Sequence, residues 1–353
     1  MAFEQFMGTR PVAPQHAFDL AALARWMAQH VDGFAGELNV EQFKGGQSNP
    51  TFLLEAGGQR YVLRRKPPGE LLPSAHAVDR EFRVISALAN TDVPVAKAYA
   101  LCEDTGVIGA MFYIMDYVQG RVLWDPSLPG IEQAQRRSYF DELNRVIAAM
   151  HCVDPVAVGL ADYGKPGNYI ERQVGRWTRQ YRAAETEPVE AVERLIEWLP
   201  ARVPPGDEAR VVHGDYRFDN VIFHPSEARI LAVLDWELST LGHPMVDFAY
   251  HCMAWHMQAG EGSRGLAGLD LQALGIPSES EYLQWYLKRT GRAQPSREDW
   301  VYFLVFGMFR LVGIVQGIKK RALQGNASSE QAMQAGNRVR PLAEQAWALA
   351  QTI

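Results

Sequence analysis

The sequence contains few cysteines and no excess of positive charge. Cys102, Cys152 and Cys252 are scattered along 353 residues. They are too few for a disulfide framework, and no C-x-x-C pair suggests a zinc site. A reducing cytoplasm is therefore the expected location. The formal net charge of −6 gives no basic excess of the kind that drives binding to nucleic acid backbones, so nucleic acid is not an expected partner.

The sequence also lacks a clear export signal and a clear membrane span. Glu4 and Asp19 depart from the basic-then-apolar layout of a signal peptide. The most apolar stretch, residues 300–316, is interrupted by Arg310 and is short for a bilayer crossing. We therefore predict that this stretch is a buried helix and that no membrane is a partner. Composition leaves the oligomeric state open, with a homodimer as one alternative.

The N-terminal third is rich in strand patterns. Residues 17–31 predict an amphipathic helix, and the alternation in residues 38–43 predicts a half-buried strand. Residues 51–54 and 61–64 flank a double-glycine turn and predict a hairpin. Because hairpin strands are antiparallel, the loop before the first strand and Arg64 at the end of the second should lie at the same end.

A helix is predicted over residues 74–89, with Ser74 as its N-cap. Three apolar residues of this segment share one helical face: Val78, Ile85 and Leu88. Glu81 falls in the same series, so its carboxylate should face inward. A buried charge without a counter-charge costs several kcal/mol. We therefore predict that Arg64 is the partner of Glu81.

Two further strands are predicted at residues 93–101 and 111–118, and helical patterns dominate afterwards. This order predicts an α+β architecture in two parts. Residues 1–118 would form an antiparallel sheet with one main helix, and residues 119–353 a larger, mostly helical part. Length and an ordinary globular composition allow each part its own core.

The strongest functional signal surrounds a second predicted hairpin. A His-Gly-Asp triplet ends at Asp215, and Asn220 follows five residues later. Apolar runs at residues 221–223 and 230–234 predict a hairpin that Asn220 opens and Asp235 closes. Antiparallel pairing then brings the two oxygen-bearing side chains to one end. Hard Mg²⁺ prefers a few protein oxygens completed by phosphates and water, which an Asn and an Asp would satisfy.

Asp215 should lie beside that cation. A carboxylate there can orient an alcohol and accept its proton as the hydroxyl oxygen attacks a γ-phosphorus. The alternative interpretation is an Asx-rich loop that joins two core strands. The coincidence of the triplet, the step to Asn220 and an aspartate at the end of the next apolar strand favours the catalytic interpretation.

The segment from His213 to Asn220, together with Asp235, resembles the catalytic loop and metal-binding segment of aminoglycoside and choline kinase-like phosphotransferases, distant relatives of protein kinases. This resemblance implies a two-lobed protein-kinase-like fold that uses ATP and Mg²⁺. It implies Asp215 as catalytic base, and Asn220 and Asp235 as Mg²⁺ ligands. It also implies that Glu81 is the partner of a phosphate-binding cation, a position that Arg64 occupies in place of the usual lysine.

Other segments resemble further parts of that family's nucleotide site. Residues 115–118 resemble the hinge that binds adenine through backbone atoms, with Asp116 offering a carbonyl and Val118 an N–H. The phosphate-covering loop is matched by residues 44–49, and four of them are predicted to bind the cofactor: Gly45, Gly46, Gln47 and Ser48. That loop lacks the full G-x-G-x-x-G pattern. Asp247 resembles the aspartate that braces the catalytic loop, and His213 is assigned the same supporting role.

Several departures indicate a small-molecule kinase rather than a protein kinase. An Asp-Trp-Glu sequence at Asp235 replaces D-F-G, no A-P-E motif follows, and Asp247 comes only twelve residues later. No room is left for an activation loop. A competing interpretation takes a scattered group as metal ligands: His243, His251, Cys252 and His256. The five-residue spacing of His251 and His256 places them on different helical faces, which disfavours it.

The acceptor should bind among the C-terminal helices. Asn168 and Glu171 predict a capping-box start to a helix. Four arginines are the predicted acceptor-binding residues, three on one face of that helix and one in the apolar stretch: Arg172, Arg176, Arg179 and Arg310. Their charges favour a small anionic alcohol over a polycation. A solvated basic face is the alternative.

Residues 61–69 and 79–82 look especially like the kinase-like domains associated with acyl-CoA dehydrogenases. That branch implies a hydroxyacyl-CoA as acceptor. Two other functions stay open at this point. One is a true aminoglycoside phosphotransferase, and the other is a nucleotide-binding module that has the fold but transfers nothing.

Overall fold

The computed structural model describes residues 7–45, 49–67, 77–260, 264–324 and 336–353. Six N-terminal strands form one antiparallel sheet in the order β1-β2-β3-β4-β6-β5. The strands are β1 (Thr9–Arg10), β2 (Asn39–Phe43), β3 (Thr51–Ala56), β4 (Gln59–Arg65), β5 (Ala98–Cys102) and β6 (Phe112–Asp116). The predicted hairpin is β3–β4, in which Thr51 pairs with Arg64. Arg64 therefore lies at the end of the sheet where the predicted phosphate loop enters β3.

Two helices pack on opposite faces of this sheet. Helix α1 (Leu20–His30) begins at Asp19, whose side chain accepts a hydrogen bond from the backbone N–H of Ala22 at 2.9 Å. Helix α2 (Val78–Leu88) begins with Ala77 as N-cap. The predicted N-cap, Ser74, lies outside the described residues. Glu81 of α2 is buried together with the apolar face, as the helical spacing predicted.

Strand β5 begins later than predicted. Residues 93–97 are not part of the sheet, although alternation placed a strand over residues 93–101. Pro94 lacks an N–H and cannot donate to a neighbouring strand, and its carbonyl accepts a hydrogen bond from Val233 instead, at 2.8 Å. This segment therefore connects the sheet to the second hairpin rather than extending the sheet.

The remainder of the chain is mostly helical. Among the described residues, a short helix α3 (Thr105–Ile108) lies between β5 and β6, and the helices that follow the sheet are α4 (Gln133–Cys152), α5 (Tyr169–Ala184), α6 (Glu190–Trp198), α7 (Pro244–Cys252), α8 (Leu271–Leu274), α9 (Glu279–Thr290), α10 (Arg297–Leu323) and α11 (Val339–Ala350). Two small antiparallel sheets lie among them. They pair β7 (Arg210–Val212) with β10 (Thr240–Gly242), and β8 (Val221–Phe223) with β9 (Ile230–Val233). The predicted α+β, kinase-like architecture is confirmed.

The apolar core departs from the prediction of one core for each part. One buried cluster contains Leu23 and Met27 of α1 with the sheet face that includes Phe52. A second cluster contains Tyr113 from the opposite sheet face, helix α2 and the C-terminal helices. Successive residues of a strand point to opposite faces, so β4 and β6 contribute residues to both clusters. The second core thus crosses residue 118, where we propose the boundary between the two parts.

Helix α10 contains the apolar stretch at residues 300–316. It is long and apolar enough to span a membrane by length and composition, but 78% of its most apolar 18-residue window is buried inside the fold. The predicted buried helix is confirmed. The capping box predicted for α5 is wrong. Asn168 has a left-handed backbone (φ 49°) and makes no side-chain cap, whereas a capping side chain needs an extended backbone.

Candidate functional site

The β8–β9 hairpin brings Asn220 and Asp235 to one end, as its antiparallel pairing predicts. Val221 pairs with Val233, and the backbone N–H of Leu234 donates to the carbonyl of Asn220 at 2.8 Å. Asp235 follows with a left-handed backbone (φ 61°). This conformation is uncommon for a residue other than glycine. Such strain tends to persist where the surrounding structure requires a particular side-chain direction.

Asp215 lies beside this hairpin end and is held by two donors. The amide Nδ2 of Asn220 donates to the backbone carbonyl of Asp215 at 2.8 Å and to its Oδ2 at 3.1 Å. The guanidinium of Arg217 donates to the same Oδ2 at 2.8 Å. Because Nδ2 of Asn220 is used by Asp215, the amide oxygen of Asn220 is the atom left for a cation.

His213 connects the loop of Asp215 to the turn of Asp235. Its Nε2 lies 2.7 Å from the carbonyl oxygen of Leu234, and its Nδ1 accepts the backbone N–H of Asp215 at 3.2 Å. The carbonyl can only accept, so the ring carries its proton on Nε2 and is neutral. The imidazole thus fixes the spacing between Asp215 and the residue that precedes Asp235.

Asp247, at the start of α7, supports the same loop. Its two carboxylate oxygens accept the backbone N–H groups of His213 and Gly214, both at 2.8 Å. His151 lies 3.2 Å from Oδ2 of Asp247 and 2.7 Å from the hydroxyl of Tyr286. Burial alone would raise the pKa of Asp247. The hydrogen bond and charge of His151, together with the hydrogen bond from the His213 N–H, more than offset this rise. The pKa of Asp247 is therefore held below its ordinary value.

We predict that Asp247→Asn destabilises the fold. The amide would present a donor where two backbone N–H groups and His151 require an acceptor, leaving buried polar groups unpaired. The free energy of unfolding should fall by about 2–4 kcal/mol. A urea titration measures this as a lower midpoint with an unchanged slope. As a control, Asp162→Asn removes a surface ion pair with Arg83 and should leave the midpoint unchanged. Equal midpoints for both variants would contradict the bracing role.

The predicted contact between Arg64 and Glu81 is present. Nε of Arg64 lies 2.7 Å from Oε2 of Glu81. Glu81 also accepts hydrogen bonds from the side chains of Asn49 at 2.8 Å and Tyr113 at 3.2 Å. Burial raises the pKa of Glu81, and the Arg64 charge with the hydrogen bonds from Tyr113 and Arg64 offsets part of that rise. Glu81 is thereby fixed as the anchor of Arg64.

Arg64 also reaches the hairpin end. Its terminal nitrogen lies 2.6 Å from Oδ1 of Asp235 and 3.8 Å from Oε2 of Glu237. One cation therefore faces three carboxylates: Glu81, Asp235 and Glu237. The carboxylate of Asp235 and the amide oxygen of Asn220 beside it are hard oxygen donors that fit a divalent cation such as Mg²⁺.

The residues predicted to form the hinge follow the end of β6. Asp116 is the last residue of that strand, and its side chain accepts a hydrogen bond from the hydroxyl of Tyr99. The backbone N–H of Val118 has no partner among the described residues. Gly45 ends the described part of the predicted phosphate loop, while Gly46, Gln47 and Ser48 lie outside the described residues. Asn49, the last residue of that predicted loop, donates to Glu81, a contact that the sequence did not predict.

The four predicted acceptor-binding arginines differ in their surroundings. Arg172 donates to the carbonyls of Lys165 and Pro166, so it stabilises the start of its own helix. Arg176 and Arg179 are exposed on α5. Arg310 is buried in α10 and lies over the rings of Tyr250 and Trp177, at 4.5 and 5.4 Å from the ring centroids. Arg176 also lies over the Trp177 ring, at 5.8 Å from its centroid, so Arg176 and Arg310 share one aromatic neighbour.

Beside Asp215 lies a cavity that sequence reasoning missed. Arg217 and Arg264 both contact Asp219, with nitrogen–oxygen distances of 3.4 and 2.7 Å. The three residues line the cavity together with an apolar set: Phe218, Met253, Met257 and Leu311. Arg217 and Asp219 lie within the segment that carries the strongest sequence signal. Arg264 is 45 residues from Asp219, and no local pattern indicates that contact.

Two of the histidines considered as alternative metal ligands, His251 and His256, have other partners. Nδ1 of His251 lies 3.1 Å from the carbonyl oxygen of Tyr216, and Nε2 lies 2.8 Å from the hydroxyl of Tyr282. Burial lowers the pKa of His251 to about 4. The ring is therefore neutral and uses both nitrogens within the core. His256 contacts Glu279 at 3.0 Å instead of facing His251.

Residues 39–282 match the family described as the phosphotransferase enzyme family. The chain is 46% identical over 341 residues to acyl-CoA dehydrogenase family member 10 of Mus musculus, a match that covers 96% of this chain and 32% of the mouse protein. The chain thus spans about a third of that relative's length.

Two solved structures extend the comparison. A candidate aminoglycoside phosphotransferase from Ralstonia eutropha is 59% identical, with a TM-score of 0.88 over 95% of this chain and 99% of that chain. A spectinomycin phosphotransferase, solved with ADP and spectinomycin, is 12% identical, with a TM-score of 0.61 over 94% of this chain and 99% of that chain, and it shares the fold. The family resemblance predicted from residues 213–235 is confirmed: the chain belongs to the phosphotransferase enzyme family.

Proposed function

We propose that this protein is an ATP-dependent small-molecule kinase that transfers the γ-phosphate of ATP to an alcohol hydroxyl. The main support is the meeting of Asp215, Asn220 and Asp235 at one end of the β8–β9 hairpin, with Arg64 bridging from Glu81 to Asp235. Family membership supports the reaction class.

Asp215 is the proposed general base. Its Oδ2 is held by Arg217 and Asn220, so the carboxylate has a fixed direction in which to meet an acceptor hydroxyl. Burial raises the pKa of Asp215, and the charges of Arg217 and Arg310 offset part of the rise. A raised pKa makes the ionised carboxylate a stronger proton acceptor.

Asn220 and Asp235 are the proposed ligands of Mg²⁺, through the amide oxygen and the carboxylate. When bound there, Mg²⁺ would supply charge neutralisation for the phosphate groups. Arg64, anchored by Glu81, is positioned to bind phosphate oxygens bidentately. The backbone of Asp116 and Val118 is proposed to bind the adenine. We propose that the loop containing Gly45, together with Gly46, Gln47 and Ser48, covers the phosphates.

A hydroxyacyl-CoA is the acceptor class that we propose. Its support is the mouse relative, named as a member of the acyl-CoA dehydrogenase family, and the similarity of residues 61–69 to domains of that kind. An aminoglycoside acceptor is the second candidate, supported by the Ralstonia relative. A polycation would meet Arg217, Arg264 and Arg338 in the cavity beside Asp215, and like charges oppose its binding. We further propose a cytoplasmic location.

An ADP-release assay tests the proposed function. Mg-ATP would be supplied with hydroxyacyl-CoAs, aminoglycosides, choline, homoserine and sugars in turn, with the Asp215→Asn variant alongside. We expect stimulation by hydroxyacyl-CoA that disappears in the variant. Stimulation by aminoglycosides alone would contradict the acceptor assignment. ATP binding without turnover on any acceptor would favour the non-catalytic nucleotide-binding module.

Arg217→Gln is expected to move the acidic limb of the kcat–pH profile to higher pH. The guanidinium contacts Oδ2 of Asp215, and an adjacent cation favours the ionised carboxylate. Its loss raises the pKa of Asp215 further, so a higher pH is needed to ionise the base. Measurement at saturating acceptor removes effects on acceptor affinity. Arg264→Gln is the matched control, since Arg264 contacts Asp219 instead. A shift of equal size in both variants, or none in Arg217→Gln, would contradict the assignment.

A further inference from the structure

Arg310 is a buried cation without a counter-charge in the described parts of the chain. Its residue is 8% exposed, and it makes no hydrogen bond or ion pair there. Its Nε is fully buried without an acceptor. Leaving a buried charge uncompensated destabilises the fold. The rings of Tyr250 and Trp177 offset part of that cost.

The surroundings place Arg310 on the acceptor side of Asp215. Tyr250, whose ring lies 4.5 Å from the guanidinium, lines the cavity beside Asp215, as does Leu311, the next residue along α10. The positive charge of Arg310 also acts on the Asp215 carboxylate. Arg310 therefore stands close to both the proposed base and the cavity.

The charges around this cavity do not balance. Three arginines line it, Arg217, Arg264 and Arg338. Arg310 lies over the ring of Tyr250, which also lines the cavity. Asp215 and Asp219 are the carboxylates that face them, and both are already contacted by Arg217 or Arg264. An anion that entered the cavity would find Arg310 without a competing carboxylate among the described residues.

We propose that Arg310 binds an oxyanionic group of the acceptor, a carboxylate or a phosphate, while the apolar part of the acceptor lies against Phe218, Met253, Met257 and Leu311. The hydroxyl of Tyr250, a residue that lines the cavity, is a second donor to the same group. This inference rests on the proposed kinase function and deepens it, because it assigns the group by which the acceptor is recognised.

A binding experiment tests the site without requiring turnover. The thermal midpoint of the protein, saturated with ADP, is measured against rising free coenzyme A and against rising hydroxybutyrate. A ligand that binds the folded state raises the midpoint, and above its Kd the rise grows with the logarithm of the ligand concentration. A response to coenzyme A alone identifies a phosphate as the bound group, and a response to hydroxybutyrate alone identifies a carboxylate. No response to either overturns the proposal.

Arg310→Met separates recognition from a structural role. We expect the variant to lose the ligand response and to raise KM for the acceptor about 10–100-fold, as the loss of a charge-assisted hydrogen bond predicts. Arg310→Lys should restore part of the ligand response and part of the affinity for the acceptor. ADP affinity should stay unchanged. The ligand-free midpoint should hold or rise, since an uncompensated buried charge is removed.

A control variant at another arginine tests whether these effects are specific to Arg310. Arg202→Met removes an exposed arginine that lies over Trp198, 5.3 Å from its ring centroid, and should change none of these quantities. A lower ligand-free midpoint for Arg310→Met with an intact ligand response would overturn the proposal in favour of a structural role. A ligand response that depends on Arg310, without turnover on any acceptor, would instead refute the kinase function while supporting the anion site.

Discussion

Replacing Asp215 by asparagine is expected to lower kcat by about 10²–10⁴-fold while leaving the affinity for ATP unchanged. The carboxylate lies 2.8 Å from Arg217 and 3.1 Å from the amide of Asn220, which fixes its direction. An amide of the same shape keeps the volume but can no longer accept the proton of the attacking hydroxyl. The loss should therefore fall on the transition state, measured by steady-state kinetics and by ATP-binding calorimetry on the same preparation.

Asp162→Asn is the matched control for that variant. It makes the same carboxylate-to-amide change on the surface, in an ion pair with Arg83, and wild-type turnover is expected. If Asp215→Asn turned over as fast as the wild type, Asp215 would not be the base. If it lost ATP binding as well, the change would report on the nucleotide site instead.

Asp235→Asn is expected to lower turnover by about 10²–10³-fold, a loss of the size seen when one electrostatic stabiliser of a transition state is removed. The concentration of Mg²⁺ needed for half-maximal activity should rise at the same time, because an amide oxygen is a weaker ligand for a hard cation than a carboxylate. A titration of activity against Mg²⁺ at fixed ATP measures both effects.

Two companion variants separate metal binding from phosphate binding. Asn220→Ala removes the other proposed ligand and should raise the Mg²⁺ requirement in the same way. Arg64→Met, which loses the contact at 2.6 Å to Asp235, should weaken ATP binding with little change in the Mg²⁺ requirement. A wild-type Mg²⁺ titration for Asp235→Asn would rule out Asp235 as a metal ligand.

The geometry of the site follows from short-range patterns to a large extent. The alternation of apolar residues around a turn predicted that Asn220 and Asp235 share one hairpin end, and the hydrogen bond between Leu234 and Asn220 confirms that geometry. The position of Arg64 at a strand end and the helical spacing of Glu81 predicted their contact. In each case a period of 2.0 or 3.6 residues decides which side chains share a face.

Contacts between distant segments were not predictable in this way. Asn49 and Tyr113 meet Glu81 across 32 residues each, and Arg264 meets Asp219 across 45. Asn168 was predicted to cap α5 but takes a left-handed backbone, with its N–H donating to Asp207. Tertiary packing sets these positions, and it overrides local preferences of about 1 kcal/mol.

The surroundings of the cavity beside Asp215 were likewise not predictable from local sequence patterns. Arg310 was singled out as a charge within an apolar stretch, yet its neighbours Tyr250 and Trp177 come from α7 and α5. Arg172, on the predicted basic face, instead binds the carbonyls before its own helix. Helical spacing identifies the residues that share a face, but only the packing of three helices shows which arginine is buried against Tyr250 and Trp177.

The central claim is transfer of the γ-phosphate to an acceptor hydroxyl with Asp215 as base. The most direct test incubates the protein with ATP labelled in the γ-phosphate, Mg²⁺ and a hydroxyacyl-CoA, and follows the label by chromatography. We predict that label appears on the acceptor with the wild type and is lost with Asp215→Asn. Label that stays in ATP or appears only in free phosphate with the wild type would contradict the account.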